Sequence, residues 1–298
     1  MQQSVICYAK RTPIGRFQGG LSVLSAPQLG ALLVKDLLAT TGVDPQAIDQ
    51  IIVGQVLTAG VGQAPARQTA LLGGVPDSCC ATTVNRVCGS GLKAIMLADD
   101  AIRLSQADAV IAGGQENMSM APHLLMNSRT GIRFGGGELK DHMQWDGLVD
   151  PYSGSAMGTF GDLCASEYDF TREQQDQYAL ESYKRARHAI DSGHYSDEIV
   201  PVEVKHRKKV QLVDKDEEPF KADLEGFSSL RPAFGKQGTV TAANASSLND
   251  GASILLVTSE QKAKQLGLTP MARILAHNST AKKPSWFTTA PVDSIEKL

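Results

Sequence analysis

The most reactive feature of the sequence is a cysteine between a strand pattern and a helix pattern. Cys88 follows a β-type run ending at Val87 and opens the helical pattern of residues 89–104, with Gly89 and Gly91 beside it. Glycine suits sharp turns and close backbone contacts. The unpaired N–H groups and partial positive charge of a helix N-terminus favour the nucleophilic thiolate. The pattern therefore predicts a nucleophile on a strand-to-helix turn whose amides could also stabilise an oxyanion.

Position and flanking residues alone leave a second interpretation open, in which Cys88 is a small buried core residue. The chain has five cysteines, and the other four are Cys7, Cys79, Cys80 and Cys164. Their odd number and scattered spacing argue against a disulfide framework and against a zinc site. We therefore expect no bound metal and a reducing compartment, the cytoplasm.

The elements that would position Cys88 alternate between strand and helix patterns. A capping box at Ser25 and Gln28 opens a helix that Gly42 closes. In the helix after Cys88, the side chains expected to face inward are Leu92, Ile95, Met96 and Ile102. The other predicted elements are strands at residues 4–9, 51–53, 82–87 and 108–112 and a helix at residues 66–72. This β-α-β order predicts a layered α/β fold.

The alternating strand and helix patterns stop near Glu116, which predicts an inserted domain. Glycine-rich and polar stretches follow, interrupted by a helix from Thr171 to Ser192, before strand and helix patterns resume at residues 252–276. The predicted domains are an α/β domain of residues 1–118 and 245–270, an inserted loop domain of residues 119–244, and the start of a second, mostly absent α/β half at residues 271–298. A helix opening at residues 291–298 supports this last boundary, because one turn alone is unstable.

The charge and hydropathy of the chain argue against nucleic acid and membranes as binding partners. The net charge is −3, with both signs spread along the chain, so no general attraction to nucleic acid or to an anionic membrane is expected. No apolar run reaches the roughly 20 residues of a membrane helix, and no targeting peptide is indicated. A basic run at residues 205–209 precedes an acidic run at residues 214–218. It predicts either a solvated strand pair with opposite charges facing, or a group that holds cofactor phosphates.

Several segments, in order and over essentially the whole chain, resemble the thiolase family. Residues 87–94, Val-Cys-Gly-Ser-Gly-Leu-Lys-Ala, are similar to its acyl-enzyme motif. Residues 230–234 and 238–246 resemble the segments around the pantetheine arm. Further matches are residues 11–15, the family's opening, residues 113–119, the strand end after the nucleophile helix, and residues 249–252, the return to the core.

The resemblance implies condensation of two acetyl-CoA molecules to acetoacetyl-CoA, or the reverse thiolysis, through an acyl-cysteine at Cys88. Coenzyme A and acetyl-CoA would be substrates, with no permanently bound cofactor. Ser246 would bond the pantetheine, and Met157 and Phe234 would line the tunnel. Residues 146–151 resemble acetoacetyl-CoA thiolases more than long-chain degradative ones. A homodimer or homotetramer is implied for the full-length protein.

The sequence also departs from the family pattern. Ala156 stands where the family often has a histidine, and residues 219–227 carry no assignable adenine-binding residue. The motifs Asn-Glu-Ala-Phe, Gly-His-Pro and Cys-x-Gly-Gly do not occur in these 298 residues. The family's activating histidine, water-holding asparagine and second cysteine belong to those motifs. We therefore expect a chain cut before its C-terminal catalytic domain and inactive alone, because covalent catalysis needs at least a nucleophile and a base.

Three other hypotheses stay open at this point. The chain could be a non-catalytic protein that binds acyl-CoA or pairs with a complete thiolase subunit. A cysteine hydrolase would need a Cys–His pair, for which the sequence has no local signature. A β-ketoacyl synthase relative is less favoured by the Val-Cys-Gly-Ser-Gly context of Cys88.

Overall fold

The computed structural model describes residues 2–206 and 209–298. Its contacts divide the chain into two units: residues 1–147, 196–216 and 249–275 form the first, and residues 148–195, 217–248 and 276–298 form the second. The domain boundaries at residues 118, 244 and 270 remain a prediction. They concern domains that the family shares, whereas the two units are groups of residues that contact one another within this chain.

The strands all belong to the first unit. In chain order they are β1 Ser4–Arg11, β2 Gly15–Arg16, β3 Gln50–Gly54, β4 Cys80–Val84, β5 Ala109–Asn117, β6 His123–Leu125, β7 Leu139–Asp141, β8 Val202–His206, β9 Lys209–Val213, β10 Asn249–Ser259 and β11 Ala272–Arg273. The helices are α1 Ala26–Thr41, α2 Pro65–Gly73, α3 Ser90–Arg103, α4 Met157–Glu167, α5 Arg172–Asp191, α6 Glu218–Lys221, α7 Glu260–Gln265 and α8 Ala290–Lys297.

A mixed seven-stranded sheet forms the centre of the first unit, in the order β11-β1-β10-β5-β3-β4, with β2 pairing with β10 beside this path. β3 runs parallel to β4 and β5, and β10 runs antiparallel to β1 and β5. Leu256 of β10 lies between Tyr8 and Ile111 of its two neighbours. Residues 250–258 therefore share a sheet with residues 4–9 and 108–112, and the predicted α/β fold class is confirmed.

The two faces of the sheet carry separate apolar clusters. Leu29 and Leu33 of α1 pack with Ile51 and Ile111 on one face. On the other face, the cluster contains Ala94, Ala98 and Ile102 of α3 with Ile52 and Val110. Neighbouring strand residues enter opposite clusters because side chains alternate across a strand. Helices α1 and α2 thus cover one face, and α3 covers the other.

Two helix boundaries follow from their capping sequences. Ser25 and Gln28 form the predicted capping box of α1, and Gly42 ends that helix with a left-handed φ of 65°. In α5, Thr171 and Gln174 form a second capping box. Each cap satisfies N–H groups that lack partners within the helix.

The predicted inward face of α3 is partly wrong. Leu92 is 66% exposed, whereas Ile102 is fully buried. Alanines supply most of the contact with the sheet, which brings the helix axis close to the strands. The boundaries also differ: β4 ends at Val84 rather than Val87, and β5 continues through Gly113 and Gly114 to Asn117.

Glycines allow the N-terminus of α3 to lie almost on the sheet. A Cβ at Gly54 would overlap the backbone of Ser90 and lie 2.6 Å from the nitrogen of Gly91. Across the same contact, a Cβ at Gly114 would lie 3.2 Å from the Cα of Gly91. Backbone thus meets backbone here, so side chains at these positions would push the helix away.

The predicted facing of the two charge runs is wrong. β8 and β9 form a hairpin in which Lys205 pairs with Val210, so the acidic run lies beyond it. Asp216 of that run instead accepts hydrogen bonds from the Arg11 guanidinium at 2.6 and 3.0 Å. Glu198 accepts another from Arg11 at 2.7 Å. Arg11 therefore connects residues 196–216 to β1. Two members of the basic run, Arg207 and Lys208, lie outside the described residues.

The second unit is mainly helical. Residues of α5 pack with the segment around Phe227 and Ala243 in a small apolar cluster, with the rings of Tyr183 and Phe227 in edge-to-face contact at 5.5 Å. Among the described residues, none of the helices combines the length and the apolar character required to cross a membrane.

We expect Gly54→Ala to destabilise the first unit by about 1–3 kcal/mol, because the new methyl group meets backbone atoms that cannot move aside. Gly136→Ala is the matched control, since a Cβ there has no neighbour within 4 Å. Urea unfolding of both variants measures the difference. Equal stabilities would show that the contact between α3 and the sheet tolerates a side chain.

Candidate active site

The structure places Cys88 on the connection that the sequence predicted. β4 ends at Val84, α3 begins at Ser90, and Cys88 lies between them with its side chain exposed. The other cysteines occupy different settings: Cys7 within β1, Cys80 at the first position of β4, Cys79 just before it, and Cys164 within α4. Within the described chain, Cys88 is thus the only cysteine on a strand-to-helix turn.

Two other cysteines of the first unit, Cys79 and the partly buried Cys7, are held in the thiol form. Desolvation raises the pKa of Cys79 to about 11, with a further contribution from Cys80. Burial also raises the pKa of Cys7, although a hydrogen bond with Thr258 partly offsets it. The thiol is a poor nucleophile, so neither cysteine competes for an electrophile at neutral pH.

The amides of the turn are almost all used internally. The N–H of Val87 donates to Asn85 Oδ1 at 2.9 Å. Those of Gly89 and Ser90 donate to the carbonyl oxygens of Arg86 and Val87, each at 3.1 Å. Arg86 and Cys88 also form an isolated backbone bridge. The turn around the sulfur is therefore held by its own backbone hydrogen bonds.

The positive φ of the turn falls on an unexpected residue. Gly89 has a φ of −90°, whereas Val87 has a φ of +47°. The glycine of the motif that the structure explains is Gly91, which meets Gly114 of β5. Sequence reasoning assigned conformational freedom to the glycines, and no sequence pattern marked a valine as left-handed.

The partly buried carboxylate of Glu116 fixes the loop after β3. Glu116 accepts hydrogen bonds from the N–H groups of Val56 at 2.8 Å and Leu57 at 3.3 Å. Asn85 contacts the same loop through Val56 O at 3.5 Å. Desolvation raises the pKa of Glu116, and the backbone hydrogen bonds oppose that shift. The sequence analysis missed Glu116, although its place in the family-like segment 113–119 was a clue.

A second buried polar chain lies on the other side of β5. Thr69 Oγ1 donates to Gln115 Oε1 at 2.7 Å, and Gln115 Nε2 donates to Gln55 Oε1 at 3.0 Å. Gln55 in turn donates to Leu57 O at 3.0 Å. All three side chains are buried. The loop at residues 55–57 is therefore bonded through both its amides and a carbonyl group.

The buried histidine of the first unit has a structural environment. His142 Nδ1 lies 2.5 Å from Asp146 Oδ2, and its Nε2 accepts a hydrogen bond from the N–H of Ala59 at 3.3 Å. Both ring nitrogens are therefore occupied, which makes His142 unsuited to activating a nucleophile.

In the second unit, α4 brings two of the predicted binding residues together. Met157 is its first residue, and a Cβ on the adjacent Gly158 would overlap the ring of Phe234. One turn later, a Cβ on Gly161 would lie 3.1 Å from Val240 Cγ2. The small residues at i and i+3 form one face of the helix, on which residues 234 and 240 pack.

Hydrogen bonds reinforce this packing. Asp162 Oδ1 accepts the N–H groups of Thr239 at 2.8 Å and Val240 at 2.9 Å. The N–H of Ala233 donates to Val240 O at 2.8 Å. Residues 230–246, which resemble the family's pantetheine segments, are therefore held on α4 beside Met157.

Ser246 is exposed, and it follows a turn at residues 241–244 that side-chain hydrogen bonds hold in place. Asn244 accepts the N–H of Thr241 at 2.7 Å and donates to Asp176 of α5 at 2.9 Å. Arg172 holds Asp176 from the other side at 2.7 Å. Ser246 is thus presented by a turn that is anchored to the N-terminal part of α5.

Comparison with known proteins agrees with the resemblance. A model of the thiolase N-terminal domain matches residues 4–261. A probable acetyl-CoA acetyltransferase of Escherichia coli (strain K12) is 50% identical over 293 residues, covering 98% of this chain and 75% of the relative. Acetyl-CoA acetyltransferase of Cupriavidus necator is 47% identical, with coverages of 100% and 76%. Acetyl-CoA acetyltransferase 2 of Arabidopsis thaliana is 47% identical, with coverages of 96% and 72%.

We expect the effect of Glu116→Gln on stability to depend on pH. The folded-state pKa of Glu116 is raised above its ordinary value of 4.5, so the folded state binds the proton more tightly than the unfolded state. The parent's stability relative to the variant is then greatest below 4.5 and falls as pH rises through the folded-state pKa. Urea unfolding at a series of pH values measures this difference. A difference that grows in favour of the parent on raising the pH would contradict the shift.

We expect Gly158→Ala to displace the Phe234 ring and destabilise the second unit by about 1–3 kcal/mol. In a Phe234→Ala background the same change should become neutral or stabilising, because alanine is the better helix former by about 1 kcal/mol. Thermal unfolding of the two single variants and the double variant measures the coupling. Additive effects would show that residues 158 and 234 do not share this contact.

Proposed function

The chain belongs to the thiolase family, and from that premise we propose that Cys88 is an acyl-accepting nucleophile. The observation that carries the proposal is the setting of Cys88. Its sulfur is exposed on the turn between the end of β4 and the N-terminus of α3. The proposed overall reaction is the condensation of two acetyl-CoA molecules to acetoacetyl-CoA, or the reverse thiolysis.

In the first step the Cys88 thiol loses its proton to water, and the resulting thiolate attacks the carbonyl carbon of acetyl-CoA. A carbon–sulfur bond forms, the carbonyl electron pair moves onto oxygen, and collapse of that intermediate expels the thiolate of coenzyme A. The product is an acetyl-cysteine, with no net oxidation or reduction. The Cys88 N–H is the group that supports the developing oxyanion, and such donors contribute about 10²–10³-fold each.

We further propose that residues 1–298 alone do not complete the cycle. Condensation requires removal of a proton from the acetyl carbon, and a positioned base contributes about 10²–10⁴-fold. His142 is engaged by Asp146 and Ala59. In the described part of the first unit, no basic side chain bonds the Cys88 sulfur. The chain therefore supplies the nucleophile and one amide, and the proton-transfer groups of the family motifs are missing from its sequence.

The substrate contacts are proposed from the second unit. Met157 and Phe234 would line the acyl and pantetheine tunnel, and Ser246 would bond the pantetheine. Their common attachment to α4 and α5 supports this, since a binding surface benefits from rigid supporting elements. Ala156 lacks the polar contact that a histidine would offer. Coenzyme A and acetyl-CoA act as substrates, without a resident cofactor.

The setting of the protein follows the same family premise. We propose that the full-length protein is a homodimer or homotetramer in the cytoplasm, with no nucleic-acid or membrane partner. The five unpaired cysteines support a reducing compartment.

The second candidate function is a non-catalytic acyl-CoA-binding or subunit-pairing protein. This function is favoured because, in the described part of the first unit, no basic side chain bonds the Cys88 sulfur. A thiol without such a base reacts slowly with a thioester. In that case acyl-CoA would bind without transferring its acyl group.

Prolonged incubation of the purified chain with excess acetyl-CoA should acetylate Cys88 slowly, because water can accept the thiol proton when no positioned base is present. Mass spectrometry of the tryptic peptide of residues 87–93 detects the product. Thiolysis of acetoacetyl-CoA by coenzyme A should stay at the level of the Cys88→Ala variant. Cys80→Ala is the matched control, since Cys80 is also exposed but lies in β4.

Two results would change the proposal. Binding of acetyl-CoA without acetylation of Cys88 would favour the non-catalytic function. Robust thiolysis that disappears in Cys88→Ala but not in Cys80→Ala would show that the chain already contains a complete catalytic set.

A further inference from the structure

The residue before Cys88 has a backbone conformation that its side chain disfavours. Val87 is β-branched and 48% exposed, and its φ is +47°. Positive φ is a true outlier for a β-branched residue, and such conformations persist only where the surrounding structure enforces them. Since Val87 is half exposed, apolar packing does not supply the full constraint.

Hydrogen bonds from both sides supply it. The N–H of Val87 donates to Asn85 Oδ1 at 2.9 Å. The carbonyl oxygen of Val87 accepts two hydrogen bonds from Ser90, one from its hydroxyl at 2.5 Å and one from its N–H at 3.1 Å. Both peptide groups that flank the strained φ are thereby fixed.

The Ser90 hydroxyl makes a second bond to the same turn. Its Oγ accepts the N–H of Arg86 at 2.8 Å while it donates to Val87 O. Ser90 is only 4% exposed, and its backbone lies against Gly54 of the sheet. The hydroxyl is therefore immobilised by the fold and joins residues 86 and 87 to the first turn of α3.

The direction of these bonds distinguishes them from helix capping. A capping hydroxyl accepts the N–H groups of the first helical turn that follows it. In α3 the N-cap is Gly89, and the helix has no side-chain cap. The Ser90 hydroxyl bonds backward, to the residues that precede Cys88.

We propose that Ser90 is a positioning residue for the Cys88 nucleophile. By holding Val87 in the left-handed conformation, its hydroxyl fixes the peptide between residues 87 and 88 and keeps the Cys88 sulfur exposed. Without the hydroxyl, Val87 returns to negative φ, which rotates the peptide between residues 87 and 88. This proposal rests on the function proposed for Cys88, whereas the clamp on the turn can be tested separately.

The test combines hydrogen–deuterium exchange with acetylation. In Ser90→Ala, exchange of the amides of residues 86–90 should rise about five- to tenfold through loss of the two hydroxyl bonds. Acetylation of Cys88 by acetyl-CoA should fall about tenfold through misplacement of the reacting atoms. Adding Val87→Asn should partly restore both, because asparagine tolerates left-handed φ far better than valine.

Ser25→Ala is the control for a general loss of stability. It removes the cap of α1, at a cost similar to that of other caps, and leaves the turn intact. Its Cys88 acetylation and its exchange at residues 86–90 should match the parent at a temperature below unfolding. A merely structural role for Ser90 would affect both serine variants alike.

The outcomes separate the two proposals. Unchanged exchange in Ser90→Ala, or no restoration by Val87→Asn, would overturn the clamp. Increased exchange with unchanged acetylation would overturn the positioning role. If the parent chain binds acetyl-CoA without acetylating Cys88, the proposed function fails, and the exchange measurements alone then decide whether Ser90 clamps the turn.

Discussion

The backbone contact between the start of α3 and the sheet is the constraint on which the site depends. Gly54 of β3, Gly91 of α3 and Gly114 of β5 meet without side chains between them. The first turn of the helix consequently lies directly over the ends of two parallel strands. The connection from β4 must then reverse direction within residues 85–89, which leaves little choice of conformation. Val87 has its positive φ on this short path, where hydrogen bonds with Asn85 and Ser90 hold it.

Three successive residues of β5 stabilise the surroundings of this contact in different directions. Gln115 and Asn117 point to the side of α1 and α2, where Gln115 bonds Thr69 and Asn117 bonds Leu24 O at 2.7 Å. Glu116, on the opposite face, accepts the amides of the loop after β3. Alternation along a strand lets one short segment fix loops on both sides of the sheet. A buried polar group without such partners would cost stability, so each of these residues is bonded to a specific neighbour.

Features that depend on nearby residues were predictable from the sequence. Both capping boxes formed as expected because Ser25 with Gln28, and Thr171 with Gln174, interact within four residues. The position of Cys88 between a strand and a helix follows from the local change in hydrophobic period. The α/β class required only the order of these patterns. Local propensity and tertiary structure agree at all of these points.

Features that depend on tertiary contacts were not predictable in the same way. Leu92 fits the apolar stripe of α3 but is exposed, because alanines let the helix approach the sheet more closely. Asp216 belongs to an acidic run yet bonds Arg11, about two hundred residues earlier in the sequence, rather than the neighbouring basic run. The left-handed Val87 contradicts its own propensity. Such conflicts concentrate where a fold enforces a local conformation, and this makes them informative about function.

In both units, glycines permit close packing and hydrogen bonds then fix the neighbouring segment. Next to Cys88, glycines permit contact between backbones, and hydrogen bonds then fix the turn. Along α4, Gly158 and Gly161 permit contact with Phe234 and Val240, and Asp162 then fixes the returning chain. In each case the small residue leaves space for the neighbouring segment, and a polar side chain orients the backbone of that segment through hydrogen bonds. The roles proposed for Cys88 and for residues 230–246 both require placement within about 0.5 Å, and contact through small residues combined with fixed hydrogen bonds favours such placement.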